Sequence, residues 1–250
     1  MITVRIVGPG RAGRSLAAAL RAAGCAVADL LGRSDDCSDA ASGVDVLILT
    51  PPDDQVAVVA RSVLAVATPA VLHCSGSLSL DVLDAHPRRG SLHPLVTLPD
   101  PVIGGARLRS GAYFAVAGDS AATDLALLLG GQPIVVPDAA RAQYHAAACI
   151  AANHVVALLG QVERVAADAG LPLAAFLPLV RGAVDDVSLL GPAAALTGPA
   201  ARGDVVTIER HRLALDPAEV PAYDAAVELA RRLRRQEVPA GTPARTGPWS

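Results

Sequence analysis

The sequence predicts an α/β fold: a doubly wound parallel sheet followed by an all-α C-terminal domain. Three observations predict it. Short apolar runs alternate with helical patterns up to Pro137. A Gly-x-Gly-x-x-Gly turn, Gly8 to Gly13, joins the first run to the first helix. After Pro137 strand signals stop and helical periodicity takes over.

In chain order, Ile2–Val7 is strand-like and Gly13–Ala23 is an alanine-rich helix. Ala26–Leu31 is strand-like, and Val44–Leu49 is an unbroken apolar run suited to a parallel strand covered on both faces. Asp53–Val66 reads as helix, Ala70–His73 as strand, and Tyr113–Ala117 and Ile134–Val136 as later strands. Leu92–Gly111, rich in Gly and Pro, reads as loop with room for one strand. Asp138–Ala169 is helical and closed by Gly170, and Leu171-Pro172 opens a helix running toward Ser188. Gly191–Gly203 is broken by Gly and Pro. Helices over Asp204–Leu215 and Pro217–Arg235 follow, Asp216-Pro217 fitting an N-cap and first-turn proline. The expected domains are 1–137 (nucleotide-binding), 138–236 (all-α) and a mobile, Pro/Gly-rich tail over 237–250.

The composition excludes several functions. A net charge of −3 offers no basic field for nucleic acid, and no polybasic segment suggests a membrane surface. All 21 basic residues are arginine, so Schiff-base and lysine-acid mechanisms are out of reach. Cys25, Cys37, Cys74 and Cys149 are scattered, suggesting neither a disulfide framework nor a metal site. Ala142–Val162 lacks charge but carries Gln143, His145, Asn153, His154 and Gln161, too many polar groups for a membrane span; a buried interior helix is expected. The chain enters its first strand without a secretory pattern, and a cytoplasmic location is expected.

The glycine turn, Gly8-Pro9-Gly10-Arg11-Ala12-Gly13, has the strand before it and the helix after it that dinucleotide binding requires. Gly8 permits the tight turn, Gly10 lets a diphosphate approach bare backbone, and Gly13 lets the helix pack close. The helix N-terminus then offers free amides and a positive dipole end. At the end of the second strand, where an NAD site places an acid for the ribose 2′-hydroxyl, stands Gly32, followed by Arg33 and Ser34. That pair can grip a 2′-phosphate, so NADP is the expected cofactor; the competing reading pairs Arg33 with Asp35 or Asp36 in a solvated loop. Thr50-Pro51-Pro52 and Ser75-Gly76 follow two further strands, where an open α/β sheet gathers ligand contacts. Pro51-Pro52-Asp53 also reads as a helix start with an aspartate cap.

Polar groups among apolar ones supply the catalytic candidates. His145, Cys149 and Asn153 follow i, i+4, i+8 on one helix face. Asn153 can orient a substrate oxygen, and a buried amide needs partners. His145 can supply a proton, or be a satisfied core residue. His93, before Pro94, either points into a cleft or shapes a loop. Arg202 can clamp a carboxylate bidentately. Asp204 either acts in the site or is simply an N-cap. Thr207 and His211 are weaker candidates, and His73, His86 and His154 receive no role.

These segments together resemble a family of Rossmann-like reductases with a C-terminal helical domain of unknown function. The likeness rests on the glycine turn, Pro51-Pro52-Asp53, His73-Cys74-Ser75-Gly76, Leu92-His93-Pro94-Leu95, Tyr144-His145-Ala146-Ala147-Ala148 with Asn153, and Leu196-Thr197-Gly198-Pro199 with Arg202-Gly203-Asp204. It spans nearly the whole chain except the tail. Wider relatives are pyrroline-5-carboxylate reductases, ketopantoate reductases and β-hydroxyacid dehydrogenases, whose α domain commonly dimerises. One departure stands out. Those dehydrogenases, like classical ketopantoate reductases, place a catalytic lysine one turn before the asparagine, where this chain has Cys149. The resemblance implies an NADPH-dependent reductase of a small 2-oxo acid, ketopantoate first, acting as a homodimer through its helical domain. The alternatives are an imine reductase like pyrroline-5-carboxylate reductase, or a non-catalytic NADP-binding sensor.

Overall fold

The computed structural model describes residues 1–237. Apart from Glu237, the expected tail lies outside the described residues. Two units divide between Asn153 and His154.

The first unit is built on seven strands: β1 (Thr3–Val7), β2 (Ala26–Val27), β3 (Val46–Leu49), β4 (Ala70–His73), β5 (Arg89–Pro94), β6 (Tyr113–Gly118) and β7 (Gln132–Val135). Their order is β2-β1-β3-β4-β5-β6-β7. Neighbours from β2 to β5 run parallel; β6 is antiparallel to β5, and β7 is parallel to β6. The chain leaves β1 toward β2 on one side and returns to β3 on the other. This strand-order reversal opens a crevice at the carboxyl ends of β1 and β3, where ligands bind in open α/β sheets.

Alternate strand residues feed opposite faces of the sheet. Val4, Ile6, Val46, Ile48, Leu72 and Phe114 pack with α1 (Arg11–Ala22) through Leu16 and Leu20. Val7, Leu47, Leu49 and Val71 pack with α2 (Asp53–Ser62) through Val56 and Ala60.

Between Leu92 and Gly111 the structure corrects the loop expectation: β5 begins at Arg89, and Pro101–Leu108 forms a helix, α3. The Asp100 carboxylate accepts from the Val102 and Ile103 amides at 2.8 and 2.9 Å, with Pro101 in the first turn. Gly104 and Gly105, within that Gly- and Pro-rich stretch, lie buried against α1: a Cβ at Gly104 would strike Ser15, and one at Gly105 would crowd Ala18 at 3.2 Å. They serve close helix packing, which local propensity does not report. Helix α4 (Ala121–Leu128) covers β6, and α5 (Arg141–Cys149) leads into a π turn, Ile150–His154.

The second unit contains α6 (Val155–Asp168), α7 (Leu177–Leu190), α8 (Pro192–Ala195), α9 (Gly198–Arg202), α10 (Val205–Ala214) and α11 (Val220–Glu237). Glu219 ties it together, accepting from Arg164 Nε and, through its backbone carbonyl, from Gln161. Among its described residues only Ala166 and Ile208 are buried, while Leu179, Leu189 and Leu213 are 73%, 82% and 80% exposed. The stretch Asp138–Asp168 is long and apolar enough to cross a membrane by length and composition, and nothing in its most apolar window is buried. That corrects the expected buried interior helix: within a single chain its apolar face is uncovered.

Candidate active site

The crevice at β1 and β3 has a nucleotide cradle's shape. Gly8 takes φ +108°, and a Cβ there would meet the Thr50 carbonyl carbon at 2.7 Å. At Gly13 a side chain would drive into the Gly8 carbonyl, so glycine lets α1 start hard against the strand exit. Gly10, the α1 N-cap, differs: a Cβ there meets nothing within 4 Å, and no side chain caps the helix. The first-turn amides of Arg11, Ala12 and Gly13 have no acceptor in the helix and face that open space. These residues fit a diphosphate.

Thr50 uses its hydroxyl to hold the turn, donating to the Gly8 carbonyl at 2.6 Å. Pro51 and Pro52 lead into α2, with Pro52 at the N-cap position. Asp53 is therefore not the cap that one reading expected. Its carboxylate accepts from the Ser75 and Ser77 hydroxyls at 2.9 and 2.7 Å, joining α2 to the loop after β4. Ser75 also accepts from the Ser77 and Leu78 amides, so its hydroxyl shapes that loop.

Beyond β2, Asp35 accepts from the Gly32 amide at 2.7 Å and Asp36 from the Ser38 amide at 2.8 Å. Neither forms the ion pair with Arg33 that the competing reading required. Arg33 and Ser34 are exposed, and Arg33 makes no hydrogen bond or ion pair among the described residues.

Further along the same edge of the sheet, the chain gathers its imidazoles. His93 on β5 and His145 on α5 lie edge to face, centroids 6.1 Å apart. Both abut Gly76: a Cβ there would meet His145 Nδ1 at 2.7 Å and His93 Nε2 at 3.0 Å. The Tyr144 hydroxyl lies 2.6 Å from His93 Nδ1. Burial, then the neighbouring His145 and Arg141, lower the His93 pKa to about 4 against the pull of Asp53. Burial raises that of Tyr144 to about 12. At neutral pH the imidazole is uncharged and the phenol protonated; Tyr144 donates to Nδ1 in the tautomer that carries the His93 proton on Nε2, on the Gly76 side, and accepts in the other. Cys149 Sγ sits 3.5 Å from His145 Nε2.

Asn153 ends the first unit inside the π turn, exposed and with no side-chain hydrogen bond among the described residues. The burial that argued for its role is absent; the amide is free instead of satisfied. In the second unit Arg202 is exposed and its side chain makes no hydrogen bond among the described residues, while Asp204 caps α10, accepting from the Thr207 amide at 3.0 Å and hydroxyl at 2.7 Å. His211 pairs with the Tyr223 hydroxyl at 2.7 Å.

Three residues without a role in the sequence reading enter the cluster. Arg141 at the start of α5 and His73 at the end of β4 are 1% and 0% exposed, and Tyr144 bonds His93. Arg141 bonds the Ser91 hydroxyl and, at 2.7 Å, Asp138. Tyr144 was within reach of sequence reasoning, being one of only three tyrosines and adjacent to His145.

Comparison with known proteins bears on the second half of the chain. Residues 113–230 match the family profile described as "Domain of unknown function (DUF2520)". The DUF2520 match begins at β6 and takes in Tyr144, His145, Asn153, Arg202 and Asp204; the glycine turn precedes it. No curated protein matches the chain. Among solved structures, a proposed NADP oxidoreductase, BF3122 of Bacteroides fragilis, is similar at 19% identity and TM-score 0.75, over 92% of this chain and 98% of that one. A reductive aminase from Aspergillus terreus, in complex with a reduced cofactor, cyclohexanone and allyl amine, aligns at 16% identity and TM-score 0.68, covering 93% and 94% of the two chains. The pyrroline carboxylate reductase of Plasmodium falciparum with NADP bound aligns at 14% and 0.61, covering 93% and 98%. These likenesses establish the Rossmann-like fold with a helical region after it.

Proposed function

We propose that this chain is an NADPH-dependent reductase of a small 2-oxo acid, with ketopantoate the first substrate to try, working as a cytoplasmic homodimer. One observation carries the reading: a bare glycine turn and a hydrogen-bonded Tyr144–His93 pair occupy the same edge of one parallel sheet. The turn amides of Arg11, Ala12 and Gly13 hold the diphosphate, and Arg33 with Ser34 holds the 2′-phosphate. Pro51 and Pro52 form a stiff wall beside the cofactor. Bound NADPH supplies the hydride.

The protein's remaining task is to orient the substrate and deliver a proton. His93 presents its Nε2 proton beside Gly76 as a donor to the substrate oxygen, and Tyr144 can refill Nδ1 as that proton leaves. Proton delivery thus needs no lysine. The free Asn153 amide is available to orient the carbonyl, and the Arg202 guanidinium to bind a carboxylate.

A second reading, imine reduction, has a specific observation in its favour. His93 is uncharged at neutral pH, and Arg141 beside it is already paired with Asp138, so a substrate arriving as a protonated iminium suits the cluster. The similar structures named for pyrroline carboxylate and amine chemistry support it as well.

The two separate by NADPH consumption with purified protein. Turnover with ketopantoate and not with a cyclic imine supports the first, and the reverse supports the second. Tight NADP binding without turnover across oxo acids and imines overturns both and leaves a sensor.

A further inference from the structure

We propose that Arg141 is a positioning residue: buried at the start of α5, it clamps that helix to β5 so that Tyr144 meets His93. The proposal rests on the reductase reading for its catalytic meaning but not for its geometry. Arg141 and Tyr144 are three apart on α5 and share a face. Ser91 and His93 are two apart on β5 and share a face. The two pairs form parallel rungs, Arg141 to the Ser91 hydroxyl and Tyr144 to His93 Nδ1. Asp138 holds the guanidinium from its other side, at 2.7 Å from Nε, and itself accepts from the Leu80 amide at 3.1 Å.

Burial of this group calls for a reason beyond stability. A guanidinium that is 1% exposed bears a desolvation cost that an apolar side chain of similar size would not. Among the described residues its Nη1 has no partner, and neither ring nitrogen of His73, the β4 residue in register with Ser91, has one. The structure thus keeps a buried, incompletely paired polar group beside the Tyr144–His93 pair.

A fixed positive charge there also has an electrostatic effect. The groups facing His93 are Arg141, Tyr144 and His145 from α5, Asp53 from α2 and His73 from β4. Arg141 and His145 oppose a proton on His93, and Asp53 favours one. With Arg141 in place the doubly protonated ring, which would offer Tyr144 no acceptor nitrogen, is disfavoured.

The test uses the full chain with Arg141→Met, Arg141→Lys and Ser91→Ala. Arg141→Met should lower kcat at least ten-fold, with the NADPH KM changed less than two-fold. Arg141→Lys, which keeps the charge but not the fork, should recover part of the loss. In a Tyr144→Phe background Arg141→Met should cost nothing more, because both act through one hydrogen bond. Should Arg141→Met not fold, Ser91→Ala removes the same rung with a minimal change and should lower kcat three- to ten-fold.

The nitrogen-15 chemical shifts of His93 read the tether without any turnover. In the parent protein they should report the Nε2–H tautomer, and in Arg141→Met or Ser91→Ala a mixture of tautomers. An unchanged tautomer in both variants, or an undiminished further loss in the Tyr144→Phe background, overturns the proposal. A parent protein with the expected tautomer and no reductase activity would refute the function while leaving the clamp standing.

Discussion

The Tyr144 hydroxyl lies 2.6 Å from His93 Nδ1, a hydrogen bond that joins a helix to a strand 51 positions away in the chain. With Tyr144 as its donor, that bond holds the imidazole proton on Nε2, beside Gly76. Tyr144→Phe removes the donor while keeping the ring. We expect kcat to fall by about a hundred-fold, the size of a general acid–base contribution. NADPH affinity, measured by fluorescence titration, should hold, because the nucleotide cradle lies elsewhere on the sheet.

Stability should fall with acid. Burial pushes the pKa of fully buried His73, and of His93, from 6.5 to about 4 in the folded protein. Below 6.5 the unfolded chain takes up protons that the folded chain refuses until about pH 4, so stability is lost across that window as pH drops. His73 alone contributes on the order of 3 kcal/mol to the decline. Urea midpoints recorded from neutral pH down to about pH 4 should show it, and His73→Gln should flatten the curve.

Arg33→Ala should raise the NADPH KM by roughly ten- to a hundred-fold, the worth of a charge-assisted contact of about 1.5–3 kcal/mol. The NADH KM should stay within a factor of two. Equal effects on both cofactors would remove Arg33 from the 2′-phosphate.

Gly76→Ala tests the packing beneath the imidazoles. The new methyl would stand 2.7 Å from His145 Nδ1 and 2.9 Å from His93 Cε1, so both rings must move. We expect kcat to drop more than ten-fold in a folded protein; full activity would show that neither ring's placement matters.

The second unit should be dimeric in solution. With only Ala166 and Ile208 buried among its described residues, it lacks the burial needed to offset the ordering of its helices, about 1–2 kcal/mol per residue. A second copy covering Leu189 and Leu213 would supply it. Sedimentation should report a dimer, and Leu189→Glu with Leu213→Glu should shift it toward monomer or unfold the helical unit.

The parts of the fold readable from sequence were those that local chemistry dictates. Gly8, Gly10 and Gly13 each need a different property of glycine, and their spacing displays all three. The strand Ala70–His73 was found with its observed bounds because both faces are covered and its first three residues are apolar. Gly104-Gly105 misled, since a glycine that breaks a helix and one that admits a neighbouring helix look alike in sequence. Arg141 and His73 stayed hidden for a related reason. An arginine at a helix start reads as solvated, and its partner Ser91 lies 50 positions away. His93, His145 and Gly76 were each visible, but only the sheet brings them together. Asn153 failed on burial, because apolar neighbours in sequence do not guarantee cover in space.

The consecutive strands β1, β3, β4 and β5 make the sheet a ruler. Three spacings of about 4.8 Å separate the first from the last, so the phosphate grip and the imidazoles stand roughly 14 Å apart along the rim. A cofactor seated at the phosphate grip and a substrate placed between its ring and the imidazoles are together needed to engage both ends. A mononucleotide would occupy one graduation and leave the other unread.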